Sequence, residues 1–265
     1  MDLLRRDLSP LIDVAWAEID DEARNVLSTN LSGRKVVDLR GPEGWSLPSV
    51  NLGRCKPGAT RDGVSWAVRQ VLPLIEARVP FKVSRSELDN LARGADAVDL
   101  DAVVAAATQA ARFEERAIYD GFADAGITGL REASEHDAIK IESAEPGALL
   151  DAVTRGLVVF HDAGVVGPHR LVLGPELYKR VLSDNSPYPL RQQLAKLLGH
   201  PPIYSPALDG HGLLISTRGG DFELTLGQDL AIGYERSEGD DVHLFMVESF
   251  TFRVLGPEAV IALGS

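Results

Sequence analysis

The amino-acid sequence predicts an α+β protein. Near the start, Trp16, Ile19, Ala23, Val26, Leu27 and Leu31 recur every three or four residues, which is the pattern of an amphipathic helix. Near the end, Val242, Leu244 and Met246 and then Phe250, Phe252 and Val254 fall on alternate positions, the pattern of a long strand. Between these two segments, helical and extended patterns follow each other in an irregular order, without the regular alternation of a doubly wound sheet.

Ser9 is placed to cap a helix with Pro10 at its first position, and the helix runs to Leu31 with Gly33 closing it. Lys35–Leu39 predicts a short strand, ended by the turn-rich run Gly41-Pro42-Glu43-Gly44-Trp45. From Ser46 to Val83 the chain reads as extended. Val64, Trp66 and Val68 alternate with Ser65, Ala67 and Arg69, and Ile75, Ala77, Val79, Phe81 and Val83 alternate with the residues between them. A tip, Gly53-Arg54-Cys55-Lys56-Pro57-Gly58, lies between Leu52 and Gly63, so the segment predicts a long hairpin arm. A lone two-stranded ribbon is marginal in water, so the arm calls for a further surface, such as a second subunit.

Ser84 and Glu87 have the spacing of a capping box, and the helix they start stops at Gly94. A longer, alanine-rich helix is expected from Leu100 to Ala125, with Leu100, Val103, Val104, Ala107, Ala111, Ile118 and Phe122 on one side and Gly126 ending it. The second half predicts helices from Pro146 to Gly164, Pro175–Leu182 and Leu190–Leu198. Its strands are Arg170–Leu173, Leu213–Thr217, Phe222–Leu226, Leu230–Glu235 and Val242–Leu255.

Composition narrows function. The 265 residues carry 27 Lys and Arg against 39 Asp and Glu, a formal charge of −12, which opposes a nucleic-acid partner because phosphate is met by basic patches. The one cysteine, Cys55, forms no internal disulfide and supports no cysteine-rich metal cluster. No leading apolar run follows a basic segment and no apolar stretch has the length of a membrane span, so a soluble cytoplasmic protein is expected. Catalytic signatures fail in turn. Gly210-His211-Gly212 lacks the third glycine of a dinucleotide loop, and no P-loop or Gly-x-Ser-x-Gly elbow is present. The six histidines have no helical ligand spacing, and Asp96, Asp99 and Asp101 lack the glycine of a calcium loop, so neither metal nor cofactor is expected.

Several strings then occur together and in order: Leu8–Leu11, Gly33–Asp38, Gly41–Trp45, Glu87–Leu91 with Arg93-Gly94, Arg218–Phe222, Gly227–Tyr234 and Glu248–Phe252. In sequence and spacing they resemble the encapsulin shell proteins, the linocin M18-like family, along the whole chain. The resemblance implies an HK97-type viral capsid fold. Its parts would be an N-terminal helix and the start of a peripheral P-domain (1–45), an E-loop arm (46–83), the P-domain with its spine helix (84–126), an axial A-domain (127–217) and a return to the P-domain (218–265). It implies a non-enzymatic shell protein that self-assembles, with sixty copies in the smallest T=1 lattice, and encloses a cargo protein through the cargo's C-terminal targeting peptide. By resemblance the cargo is a dye-decolourising peroxidase first and a ferritin-like iron oxidase second.

Carried over by motif, the peptide-binding residues are Arg34, Asp38, Asp229 and Ile232, with Leu27 and Leu31 receiving apolar anchors and the two aspartates pairing with a basic end of the peptide. The family's five-fold pore loop falls on Asp184, Asn185, Ser186, Pro187 and Tyr188. Relatives associated with flavin carry a tryptophan just ahead of Glu-Leu-Asp-Asn; here that position is Ser86, which has no stacking ring. A prophage major capsid protein shares the fold and is the alternative reading. A hydrolase or protease is a third reading, opposed by the missing nucleophile–base constellation.

Overall fold

The computed structural model describes residues 3–264. In chain order the helices are α1 (Asp13–Asn30), α2 (Arg85–Ala92), α3 (Asp101–Tyr119), α4 (Leu130–Ala133), α5 (Pro146–Asp162), α6 (Pro175–Ser183) and α7 (Leu190–Leu198). The strands are β1 (Asp38–Arg40), β2 (Ser49–Pro57), β3 (Ala67–Pro73), β4 (Ile75–Ser84), β5 (Gly121–Phe122), β6 (Ile127–Thr128), β7 (Ile139–Lys140), β8 (His169–Leu173), β9 (Ile203–Tyr204), β10 (His211–Ser216), β11 (Phe222–Leu226), β12 (Ala231–Glu238), β13 (Asp241–Val254) and β14 (Val260–Gly264).

Two five-stranded sheets organise the chain. In the first, the long strand β13 pairs antiparallel with β4 and β12 along its first part and with β11 along its second, and β1 adds in parallel to β11. The second runs β7-β14-β10-β8-β9. The first sheet is shared between two cores, since β11 and the end of β13 join the second sheet's core through Phe222, Leu224, Leu226, Phe250 and Phe252. One core packs α1, α2 and the start of α3 on β4, β12 and β13, around Trp16, Ile19, Leu88, Val103, Leu244 and Met246. The other gathers α5, α6 and α7 around the second sheet, through Phe160, Leu177, Leu194, Leu214 and Ile261. Helix α3 spans both, with Ala106 and Ala107 in the first core and Ile118 and Tyr119 in the second. Its alanines allow this close packing.

Several expectations are corrected. The first helix begins at Asp13 rather than at Pro10, because residues before it are drawn along β12: Tyr234 N–H donates to Leu4 O at 2.8 Å and Arg6 Nε donates to Ile232 O at 2.7 Å. Ser9 Oγ instead accepts from Leu11 N–H at 3.1 Å. The expected strand Lys35–Leu39 begins as a 3-10 turn over Gly33–Lys35, and the strand itself is Asp38–Arg40. Helix α3 ends at Tyr119, not Ala125, and Gly126 closes a separate short turn at φ 71°. The capping box is half formed: Ser84 Oγ accepts from Glu87 N–H at 3.1 Å, while Glu87 turns to Asp99 N–H at 3.3 Å.

The predicted arm divides. Its hairpin is β2 with β3, in a register that sets Ser49 opposite Pro73 and Pro57 opposite Ala67. The stretch expected to be its tip therefore supplies a strand, with Cys55 exposed within it. The alternating run of β4, expected as the second arm strand, leaves the arm and pairs with β13 over its whole length. A further strand that the sequence did not announce, β14, pairs with β10 in the second sheet.

Candidate functional site

The predicted peptide-binding residues come from three places in the chain. The last turn of α1 and its C-cap supply Leu27 and Leu31, the 3-10 turn that follows supplies Arg34, and the start of β12 with the residues before it supplies Ile232 and Asp229. The structure brings these five together along a groove of about 480 Å³ between α1 and β12, floored in part by Leu230 and Met246. At one end Arg6 lies over the Trp16 ring at 4.4 Å and grips Asp20 with two hydrogen bonds of 2.7 Å. That clamp fixes α1 against β12.

Arg34 is the organising residue. Its Nε and Nη2 donate to Glu114 at 2.9 and 2.5 Å, Nη2 also to Glu248 at 2.6 Å, and Nη1 to Asp229 at 2.9 Å. Burial alone would lower its pKa, but the hydrogen bond and charge of Glu114, with Glu248 and Asp229 behind, raise it above the ordinary value. Burial and the neighbouring Glu114 push Glu248 well above the usual carboxylate range. Glu114 and Glu248 are almost fully enclosed, whereas the Asp229 side chain is 41% exposed, so Asp229 is the carboxylate of this cluster that is open to solvent. It is held in place, since Oδ1 also accepts from Leu230 N–H at 2.8 Å.

Next to this cluster lies a second buried carboxylate. Glu115 accepts from Gly33 N–H at 2.6 Å, from Ser205 Oγ at 3.2 Å and from Ser32 Oγ, which in turn meets Tyr119 Oη at 2.7 Å. Burial, against the opposing hydrogen bonds of Ser32 and Gly33, pushes its pKa up to about 7.

Asp38 stands apart from the groove. The turn after Arg34 carries it to the edge of the first sheet, where Oδ2 accepts from Gly220 N–H at 2.6 Å and β1 runs beside β11. It lines a separate cavity of about 190 Å³ with Lys35, Val37, Thr217 and Asp221. Asp38 and Asp229, expected to meet one ligand end together, thus line separate cavities.

Glu114, Glu248 and Asp20 escaped the sequence reading, although two of them carried a signal. Glu114 falls on the α3 stripe between Ala111 and Ile118, and Glu248 falls in step between Met246 and Phe250. A charge in register with an apolar face marks a buried ion cluster.

The loop Asp184–Tyr188 joins α6 to α7. Asp184 is turned into the loop: Oδ1 accepts from Ser186 N–H at 3.0 Å and Oδ2 from Leu190 N–H at 2.6 Å, which holds its carboxyl below the usual range. Asn185, Ser186, Pro187 and Tyr188 face solvent. Ser86 N–H and Oγ both donate to Asp240, at 2.8 and 2.9 Å.

Among known proteins, the family described as "Encapsulating protein for peroxidase" matches residues 1–251. A type 1 encapsulin shell protein of Rhodospirillum rubrum is 46% identical, covering 99% of this chain and 96% of its own. One of Rhodococcus erythropolis is 41% identical, covering 98% of each chain. Another of Mycobacterium tuberculosis is 38% identical over 99% of both. Among solved structures, a virus-like particle from Pyrococcus furiosus superposes with a TM-score of 0.65 at 18% identity, covering 95% of this chain and 100% of its own. The capsid of Myoviridae phage XM1 superposes with a TM-score of 0.59 at 15% identity, covering 89% and 92%. These likenesses establish the α+β capsid fold of HK97 type, and the sequence matches, end to end, establish the family. The chain belongs to the type 1 encapsulin shell proteins.

Proposed function

We propose that copies of this chain close into a hollow shell and that the groove between α1 and β12 holds a short tail of an enclosed cargo protein. The observation that carries the second part is the convergence of Leu27, Leu31 and Ile232 with an anchored, half-exposed Asp229 in one groove. Apolar side chains of a tail fit the leucines, and a cation beside them meets Asp229. Arg34 is saturated by three carboxylates and acts by positioning Asp229 rather than by receiving the tail. The family description, an encapsulating protein for peroxidase, supports a peroxidase as cargo over an iron oxidase. The smallest lattice, sixty copies, suits the short chain. The Asn185–Tyr188 segment would line its pores and pass small solutes rather than proteins.

The test is co-purification of tagged cargo with the shell. Leu27→Asp and Asp229→Ala, each made singly, are expected to leave particles intact under the electron microscope and to reduce bound cargo several-fold. Asp38→Ala is expected to load normally. Unchanged loading in the first two variants would refute the groove assignment.

A further inference from the structure

A second, larger groove of about 740 Å³ runs between α3 and the strands β4 and β13. Its floor is apolar, built from Ala77, Val79, Ala110, Phe113, Met246 and Val247. Its rim is basic on the helix side: Arg112 and Arg116 stand one turn apart on the exposed side of α3, while the Arg78 side chain on β4 turns to the opposite face of the sheet. Arg78 is occupied, stacked 3.6 Å over the Phe245 ring and 3.5 Å from Glu235. The side chains of Arg112 and Arg116 have neither a hydrogen bond nor an ion pair to any described residue. In a chain of net charge −12, two neighbouring unpaired arginines above an apolar trough form a local reversal of sign.

This groove continues the first. Leu230 and Met246 belong to the walls of both, and Glu248, bonded to Arg34 of the first groove at 2.6 Å, lines the second. The arm of a neighbouring copy is a poor occupant, since residues 49–73 carry Arg54, Lys56, Arg61 and Arg69 against Asp62 alone. We propose that the second groove takes an acidic segment of the same extended peptide whose apolar part lies in the first, with its carboxylates on Arg112 and Arg116. The inference rests on the groove assignment made above and adds to it a rule for ligand chemistry: an apolar anchor segment flanked by acidic residues binds best.

Calorimetric titration of the purified shell protein tests this with synthetic peptides that share a leucine-bearing anchor and differ in a three-residue flank of glutamate, glutamine or lysine, placed at either end. Two exposed ion pairs of about 0.2–1 kcal/mol each predict that the glutamate flank, at one end, tightens binding about two- to thirtyfold over glutamine. Non-specific attraction to an acidic protein would favour lysine instead, so the sign of the effect is diagnostic. Arg112→Gln with Arg116→Gln is expected to erase the glutamate advantage and leave the glutamine peptide unchanged. Measurable but equal affinities for the glutamate and glutamine peptides at both ends would overturn this inference alone. A glutamate advantage that survives the double variant would also overturn it. Absence of binding by every peptide would overturn the groove assignment and this inference with it.

Discussion

Arg34 holds together residues that lie up to 214 positions apart, and its removal leaves Glu114 and Glu248 enclosed with no cation. Arg34→Met is therefore expected to destabilise the fold by about 3–5 kcal/mol, measured as a lower denaturation midpoint. A change below about 1 kcal/mol would show that the cluster is relieved by protonation instead. Glu115 gives a second residue-scale expectation. Its native pKa of about 7 lies above the ordinary 4.5, so the folded chain keeps a proton that the unfolded chain releases between those values. Stability is then greatest below pH 4.5 as far as this group is concerned, and falls as pH rises towards 7. Unfolding curves at several pH values should show this slope, and Glu115→Gln should flatten it. At this scale the sequence pointed to four residues that line one groove, Asp229 and Ile232 through local motifs and Leu27 and Leu31 through the stripe of α1. It misplaced Asp38, since whether four residues after Arg34 form a turn or a strand is decided by pairing with β11, far along the chain. The buried acids fall in step with apolar stripes, but nothing local in the sequence joins them to Arg34.

Elements whose pattern closes locally were legible. The boundaries of α7 and β11 fall where periodicity places them, and α5 begins at Pro146 as expected. Elements whose fate depends on a distant partner were not. The alternation of β4 is real, yet alternation says only that a strand has two faces, not which strand it joins. Its partner, β13, lies more than 150 residues later. The hairpin of β2 and β3 remains as a projecting arm. Only Val50 and Leu72 of it are buried, while Val64, Trp66, Val68 and Val71 are about half exposed or more. Trp66→Asp with Val68→Asp should leave the far-ultraviolet circular dichroism of the chain unchanged and abolish large assemblies; persistence of full-sized particles would show that the arm's apolar face is not an interface. The Gly41–Trp45 motif has a local cause as well. Gly41 lies at φ 106°, and a Cβ there would sit 2.4 Å from Leu226 O, next to the hydrogen bond from Glu43 N–H to that oxygen. Gly41→Ala is expected to destabilise by about 1–3 kcal/mol in the same denaturation measurement.

For the molecule as a whole, surface area separates a self-contained globule from a building block. A compact monomer of 28.6 kDa exposes about 11,300 Å² by the usual scaling. This chain exposes 13783 Å², and the arm shows where part of the excess lies. An excess of that size is comparable to the surface a subunit gives up in stable association. The chain is thus shaped for self-assembly, and the mass of the purified protein is the test. Mass photometry, with negative-stain images of the same sample, should find closed, uniform particles of about 1.7 MDa, sixty copies of the 28.6 kDa chain. A sample that remains a 28.6 kDa monomer or its dimer, with no particles in the images, would contradict it.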